Sequence, residues 1–274
     1  MGQGRRKPIT PISFTYLATL FLLLSCSVLE DRTGCPCRLH LRITRPETTV
    51  TPEEAPLFLL LTDGSWQELR SFALPPAGVL EETVPKRNGE MSLLAAVGAD
   101  VSGELSANGF EIPLGTDCPA GLLLGVAKAE TGGEEAWCEI VLHRPVCRLT
   151  LRLKGGREDF PFQVRLLGDV AGISPSGGAL PGKYSFLMSP FDEDGIAAAG
   201  IPRQPAGGGS LRMEILFADE LLRSFALGEI MARGGYDWTA PDLADAEMEL
   251  DYARTLLTLR TGTWSETVTI EKVL

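Results

Sequence analysis

Hydrophobic and polar residues alternate along most of this chain, which is typical of β-strands with one buried and one wet face. The alternation is clearest in four segments: residues 39–43, 147–153, 211–217 and 248–252. Residues 57–61 are apolar at every position, which predicts a strand covered on both faces. Residues 256–260 and 266–270 flank a Thr-Gly-Thr turn and predict a hairpin.

Helix signals are scarce. Residues 227–233 have a helical composition and are followed by Gly234-Gly235, which predicts one short helix with a glycine cap. Long loops are predicted where Gly, Pro and Ala accumulate or alternation is lost, at residues 103–119, 168–182 and 192–209. Short strands divided by Gly, Pro and Asp clusters at even spacing are typical of β-sandwiches. The fold class we predict is therefore all-β.

A domain boundary is predicted at Arg144-Pro145, because proline between two strands interrupts the ladder and favours a change of sheet. The resulting prediction is two tandem β-sandwich domains, residues 38–143 and 144–274. The hexapeptide Leu-Arg-Ser-Phe-Ala-Leu occurs at 69–74 and again at 222–227. The two copies stand at different depths within their domains, so they are weak evidence for duplication.

The N-terminus has the composition of a lipoprotein signal peptide. Three basic residues precede an apolar stretch at 14–24, which is shorter than a membrane span. Leu23-Leu24-Ser25-Cys26 matches a bacterial lipobox, which predicts a signal peptide at 1–25, lipidation of Cys26 and a tether at 26–37. An ordinary signal peptide or an uncleaved anchor is the alternative. Glu30 and Asp31 follow closely, as in surface-exported lipoproteins of Bacteroidota, although acids there also suit a solvated tether.

The net charge of the chain limits the classes of partner that it is expected to bind. The chain carries 25 Lys and Arg against 36 Asp and Glu. Residues 1–25 contain three basic residues and no acidic one, so the remainder has 22 against 36, a net charge of −14. Such a balance argues against nucleic acid and anionic headgroups as partners. With 44% hydrophobic residues the chain can bury a core.

Five cysteines remain if Cys26 carries lipid, and an odd number in an oxidising compartment predicts one or two disulfides and a free thiol. The candidates are Cys35, Cys37, Cys118, Cys138 and Cys147. Their spacing suits neither a zinc site nor a CxxC redox motif. His40 and His143 are far apart and are interpreted as strand residues rather than ligands.

No pattern selects catalytic residues, so no catalytic site, metal or cofactor is predicted beyond a covalent lipid on Cys26. The chain lacks Ser/His/Asp spacing and a phosphate-binding loop. Asp192-Glu193-Asp194-Gly195 is interpreted as a solvated turn and the acidic run at 242–251 as a solvated face. Four tryptophans are candidates either for sugar stacking or for packing: Trp66, Trp137, Trp238 and Trp264.

Residues 26–42, with Cys35-Pro36-Cys37 followed at once by a strand, resemble the mature N-terminus of the fimbrillin-A-associated anchor proteins, lipoproteins of type V pili. Residues 144–151 and the stretch from Tyr236 to the final hairpin are also similar. The chain departs from the family pattern at its long loops and at Cys118 and Cys138. The resemblance implies two transthyretin-like Greek-key sandwiches and assembly with pilin subunits by strand exchange.

The function that this resemblance implies is a non-enzymatic outer-membrane lipoprotein, exposed at the cell surface at the base of a fimbria. Its partners would be fimbrial pilin subunits and, through the lipid, the outer membrane, with no nucleic acid. The alternative from another class is a surface glycan-binding lipoprotein of a carbohydrate import system, with Trp66 or Trp238 as the stacking residue.

Overall fold

The structure is a computed structural model that describes residues 35–45, 55–73, 79–87, 89–98, 104–154, 162–188, 190–251, 256–261 and 264–269. Within these residues the chain forms eighteen β-strands and one short helix. The predicted all-β class is confirmed. None of the described helical segments is long and apolar enough to cross a membrane.

The first sandwich consists of two facing sheets built before residue 142. One sheet has the order β4-β1-β9 and the other β3-β2-β5-β8. Its strands are β1 (Pro36–Thr44), β2 (Pro56–Thr62), β3 (Gln67–Ala73), β4 (Val79–Pro85), β5 (Glu90–Val97), β8 (Leu123–Glu130) and β9 (Glu135–Val141). Two short strands, β6 (Leu105–Ser106) and β7 (Gly109–Glu111), lie between β5 and β8 in sequence but join the other sandwich.

The second sandwich contains the remaining strands and the helix α1 (Leu227–Arg233). One sheet has the order β13-β10-β16-β17-β18, and the other has β15-β14-β11-β7-β6 with β12 also paired to β11. The strands are β10 (Val146–Leu153), β11 (Gln163–Ile173), β12 (Ala179–Leu187), β13 (Ile196–Pro202), β14 (Arg212–Phe217), β15 (Glu220–Phe225), β16 (Ala246–Asp251), β17 (Leu256–Thr261) and β18 (Trp264–Thr269).

The two sandwiches share one topology. In the first, β1 pairs antiparallel with β4 and parallel with β9. In the second, β10 pairs antiparallel with β13 and parallel with β16. The other sheets correspond as well, because β3-β2-β5-β8 and β12-β11-β14-β15 follow the same order within each unit. The repeated hexapeptide falls in β3 and at β15, which are not equivalent strands, so it marks no duplication.

The strand β2 is buried on both faces, as its uniformly apolar sequence predicts. Leu57, Leu59 and Leu61 face the core between the two sheets of the first sandwich. Phe58 and Leu60 point the other way and join a core that continues into the second sandwich. Residues from the connection that carries β6 and β7 cover this second face, including Phe110 and Ile112.

The prediction of three long loops is partly wrong. Residues 168–182 include the last part of β11 and the start of β12, and the seven residues of β13 lie within 192–209. The segment 103–119 contains β6 and β7, and β7 pairs with Gly172 and Ile173 of β11. These strands are rich in Gly, Ala and Pro, which weaken the local strand signal, and their pairing partners are distant in sequence.

The predicted short helix and the final hairpin are confirmed. Helix α1 spans the predicted residues and ends at Gly234 and Gly235, the latter with a φ of +79° that suits glycine. Strands β17 and β18 pair antiparallel from Leu256↔Thr269 to Thr261↔Trp264. The hairpin therefore extends the sheet beyond β16.

We predict that Gly172→Ala destabilises the protein strongly. A Cβ at Gly172 would collide with the carbonyl oxygen of Phe110, at the point where β7 joins the second sandwich. The backbones of β7 and β11 cannot move apart without breaking their pairing. We therefore expect the free energy of unfolding to fall by ~1–3 kcal/mol, measured by chemical denaturation. Gly121→Ala is the matched control, because a Cβ there meets nothing within 4 Å. Equal stability of the two variants would contradict this packing.

Candidate attachment edge and cleft

The chain enters the first sandwich at Cys35. This residue is exposed, and its carbonyl oxygen accepts a hydrogen bond of 2.7 Å from the Lys86 amide. The bond holds the start of β1 against the end of β4, at the end of the first sandwich that is remote from the second. Cys26 lies outside the described residues, nine positions earlier. Nine residues span at most ~30 Å, so a lipid there would hold this end close to a membrane.

The five described cysteines are free thiols, so the predicted disulfides are not formed among them. Cys35 and Cys37 stand on either side of Pro36, with Cys35 exposed and Cys37 in the core. Cys118 and Cys147 are buried in the core of the second sandwich. Burial raises the pKa of Cys37, of Cys118 well above its usual value, of Cys138 to about 11 and of Cys147 to about 12. Protonated thiols of this kind are poor nucleophiles.

One backbone edge of β9 faces away from its partner strand. The Arg38 amide donates to the Glu134 carbonyl, and the Leu142 amide donates to the Thr44 carbonyl, each at 2.8 Å. In a parallel ladder alternate residues bond to the partner. The N–H and C=O groups of the residues between, including Trp137 and Glu139, therefore point away from β1.

The equivalent edge of the second sandwich is covered. There β16, the counterpart of β9, pairs with β10 on one side and with β17 on the other. In the described part of the first sandwich, β9 is the last strand of its sheet. A bridge between Leu124 and His143 closes the edge just past its C-terminal end, where Gly125 packs against Val141. An added strand would meet free backbone groups from Glu135 to Glu139.

The outer face of β9 carries an unusually exposed aromatic residue. Trp137 is 68% exposed, and its ring stacks on the buried ring of His40 with centroids 3.9 Å apart. The His40 Nδ1 atom lies 3.5 Å from the carboxylate of Glu81, its paired residue on the neighbouring strand β4. Thr44 donates to Glu139 at 2.9 Å, so contacts between β1 and β9 hold this face in place.

A cleft of about 660 Å³ begins where β9 ends and separates the two sandwiches. Val126 and Val141 of the first sandwich line one wall, and both side chains are half exposed. Arg203, Gln204 and Trp238 of the second sandwich line the other. The cleft is therefore continuous with the free edge of β9 and offers room for side chains of a segment that lies along it.

Three buried polar atoms in the residues that line this cleft have no hydrogen-bond partner among the described residues. They are Arg203 Nε, Gln204 Oε1 and Trp238 Nε1. The other nitrogens of Arg203 donate to the carbonyls of Trp238 and Pro241, each at 2.8 Å. The guanidinium thus fixes the wall of the cleft, and burial lowers its pKa.

The acidic run at 242–251 has a structural role in the second sandwich. Asp242 accepts a hydrogen bond of 2.7 Å from the Arg144 amide and lies 3.4 Å from His143 Nδ1. Asp245 pairs with the Arg144 guanidinium at 3.1 Å. Farther along, side chains of β16 pair with basic residues of β10, as Glu247 does with Arg152. These contacts support the parallel pairing of β10 with β16.

The structure places the other candidate residues apart from one another. Trp238 is 1% exposed and packs on Tyr236, and Trp66 is half-buried beneath the Arg87 guanidinium. The Trp264 side chain lies outside the described residues. The Asp192 carboxylate accepts from the amides of Asp194 and Ile196 and forms a turn, as predicted. In the described ranges no three His, Cys, Asp or Glu side chains are grouped to hold a metal ion.

Three solved structures from Porphyromonas gingivalis and Bacteroides species have a similar fold. The fimbrial anchor protein Mfa2 from Porphyromonas gingivalis is 11% identical with a TM-score of 0.58, covering 84% of this chain and 99% of Mfa2. A proposed polysaccharide-binding protein from Bacteroides thetaiotaomicron is 11% identical with a TM-score of 0.62, covering 86% and 99%. A proposed adhesin from Bacteroides ovatus is 12% identical with a TM-score of 0.56, covering 86% and 96%.

Sequence comparisons add nothing to this likeness. No family model matches the chain, and no curated protein matches it. The fold shared with Mfa2, including its two-sandwich β architecture, confirms the resemblance to fimbrial anchor proteins at the level of the fold.

We predict that a maleimide at pH 8 modifies Cys35 quickly and the four other described cysteines slowly. A thiol with a pKa of about 11 is ionised in roughly one molecule in a thousand at pH 8, and Cys118 and Cys147 are also closed to solvent. Mass spectrometry of a Cys26→Ala form measures each site, and a denatured sample, in which all five react, is the control. Rapid labelling of Cys138 in the folded protein would contradict this arrangement.

Proposed function

We propose that this protein is a non-enzymatic outer-membrane lipoprotein that anchors a fimbria at the cell surface. Its lipid on Cys26 would hold the first sandwich at the membrane, and a fimbrial subunit would complete the sheet at β9. The observation that carries this proposal is the free backbone edge of β9, whose counterpart β16 is covered by β17. The fold that the chain shares with the anchor Mfa2 supports it.

The entry of the chain supports lipid anchoring. Residues 26–34 lead from the lipobox cysteine to Cys35, and the chain then becomes the central strand of a sheet. A force on the lipid would therefore act along β1, which is held by β4 on one side and β9 on the other. A stable membrane anchor needs two or more acyl chains, as a bacterial lipoprotein cysteine carries, since a single chain binds reversibly.

The edge of β9 supports strand complementation. An incoming strand would gain backbone hydrogen bonds along 135–139, and its alternate side chains would contact Trp137 on the outer face. Its end would reach the cleft lined by Val126 and Val141. The internal precedent is β17, which pairs antiparallel with β16 over five residue pairs.

The glycan-binding alternative requires exposed tryptophan rings, and neither of its two candidate tryptophans has one. Trp238 is buried and Trp66 is covered by Arg87, so neither presents a ring face to a sugar. Trp137 is exposed, but one face of its ring is occupied by His40. The anchor function is therefore the better supported of the two.

We predict that Cys26→Ala leaves a folded protein that is no longer retained by the membrane. Loss of the acyl chains removes ~0.8 kcal/mol for each buried methylene, which is the main attraction of an acidic protein for a membrane. Fractionation of cells that express the full-length chain measures this, with Cys35→Ala as the matched control. Retention of the Cys26→Ala protein in the outer-membrane fraction would argue against lipid anchoring.

We predict that Glu139→Pro abolishes recovery of fimbrial subunits with the protein while the first sandwich stays folded. The N–H of residue 139 points away from β1, so proline removes a donor only from the free edge. Glu139→Ala is the control, because it loses the same contact with Thr44 but keeps the N–H. Subunit recovery is measured by affinity purification of the full-length protein from its envelope. Equal recovery with both variants would exclude β9 as the acceptor edge.

A further inference from the structure

The edge strand β9 has a counterpart in the second sandwich whose edge is already paired. In the first sandwich Leu41 of β1 pairs with Cys138 of β9. In the second, Leu151 of β10 pairs with Met248 of β16 in the same parallel arrangement. Cys138 and Met248 therefore occupy equivalent positions. The strand β17 runs antiparallel to β16 and places Leu259 opposite Met248. Its pairing is an internal example of a strand that such an edge accepts.

The core-facing side of β9 is less covered than that of its counterpart. Met248 is 1% exposed, in a sheet that continues to β17. Cys138 packs against the core of the first sandwich but is only half-buried. A cysteine side chain is also smaller than a methionine side chain. Cys138 therefore leaves room for an apolar side chain on a strand placed beside β9.

The facing sheet is open at the same level. Its last strand is β8, which residues 131–134 connect to β9. Counted from this connection, Ala127 of β8 stands level with Cys138, and Ala127 is also half-buried against the same core. We name the place that Ala127 and Cys138 border the seam. Since both side chains are small, a large aliphatic side chain between them would bury apolar surface and complete the core.

The backbone of β9 determines how a strand pairs with it. The Glu134 carbonyl and the Leu142 amide bond to β1, so even-numbered residues of β9 face β1 and odd-numbered residues face the free edge. An antiparallel strand would therefore form a hydrogen-bonded pair at Trp137 and a non-hydrogen-bonded pair at Cys138. Side chains lie closer together in a non-hydrogen-bonded pair, which favours a tight contact at the seam.

The outer face of this edge is acidic around an exposed aromatic ring. Trp137 is 68% exposed, and Glu135 and Glu139 stand two positions away on the same face. A residue opposite Trp137 is a diagonal neighbour of both carboxylates, so a basic side chain there would meet an aromatic ring and two acids. In the second sandwich the position equivalent to Trp137 is Glu247, which pairs with Arg260 of β17.

We propose that the strand that completes β9 runs antiparallel to it and carries a large aliphatic residue followed directly by a basic residue. The aliphatic residue would stand opposite Cys138 and fill the seam, and the basic residue would stand opposite Trp137. This inference rests on the proposed anchor function, which makes the strand part of a fimbrial subunit. It adds the direction, the register and the sequence pattern of that strand. Leu259-Arg260 has the same pattern beside β16.

The test uses a fluorescent peptide with the sequence of residues 254–262, which contains the proposed pattern at Leu259-Arg260. The protein is the full chain with Cys26→Ala and Cys35→Ala, which removes the exposed thiol. We expect binding in fluorescence anisotropy, its loss with Glu139→Pro in the protein, and an affinity at least tenfold weaker for the peptide in which residues 259 and 260 are exchanged. The exchanged peptide has the same composition and charge.

Disulfide exchange measures the register. Burial raises the pKa of Cys138 to about 11, so rapid linking reports a thiol that is held beside it. Peptides with Leu259→Cys or Thr258→Cys are activated as mixed disulfides with thionitrobenzoate, which leaves when Cys138 attacks. We expect the Leu259→Cys peptide to link to Cys138 at least ten times faster, because residue 258 would stand on the other face of the sheet.

Substitutions in the seam test the same contact from the side of the protein. We expect Cys138→Phe to fill the seam and weaken peptide binding at least tenfold. Cys138→Ala is the matched control, because it keeps the seam open and should bind the peptide normally. Ala127→Leu is a second variant in case Cys138→Phe misfolds, which thermal unfolding would reveal.

The outcomes separate this proposal from the anchor function. Binding that depends on the order of residues 259 and 260, with faster linking at 259, supports the proposed strand. No binding, equal binding of the exchanged peptide, or faster linking at 258 overturns it. The anchor function still stands if the wild-type protein recovers fimbrial subunits and Glu139→Pro loses them. If the wild-type protein recovers no subunits, or only copies of itself, the anchor function is wrong and the proposed strand falls with it.

Discussion

The parallel pairing of the first and last core strands closes each sandwich and determines what the rest of the fold can do. The Arg38–Glu135 contact joins β1 to β9 across 97 residues, and the Arg148 amide donates to Asp245, the residue before β16, across the same separation. Closing so long a segment costs conformational entropy before any pair forms, so each sandwich closes only when β9 or β16 pairs with the first strand of its unit. This places β9 and β16 at equivalent positions, and only β16 has a further partner in the described chain.

Much of the β architecture can be predicted from local patterns, because one wet face and one buried face leave a clear alternation. The strands β1, β10, β14 and β16 fall where alternation predicts them, and β2 follows from its uniformly apolar residues. The strands β6, β7 and β13, the end of β11 and the start of β12 lie where the sequence predicts loops. Their residues, such as Gly172 and Pro181, are poor strand formers, and distant pairing holds them in place.

The candidate site was less accessible to sequence reasoning. The match to a lipobox at Cys26 is a local motif, so it can be recognised from the sequence without a structure. The free edge of β9 is a property of which strands lie beside it, and no local pattern encodes that. The sequence analysis suggested Trp66 and Trp238 as binding residues, yet both are packed, whereas Trp137 lies on the edge strand β9 and is exposed.

The features that could bind a partner follow one another along the molecule. The described chain enters the first sandwich at Cys35, and the unpaired edge of β9 and the cleft follow towards the second sandwich. Under the proposed anchor function, a force on the lipid would pass along β1 into the strands paired on either side of it.

The most direct test of the central claim is immunogold electron microscopy of intact cells with an antibody against the second sandwich. The anchor account predicts label at the membrane end of fimbriae, with one cluster of gold for each fibre. Gold spread along the fibres, or scattered over a surface without any relation to their bases, would contradict it.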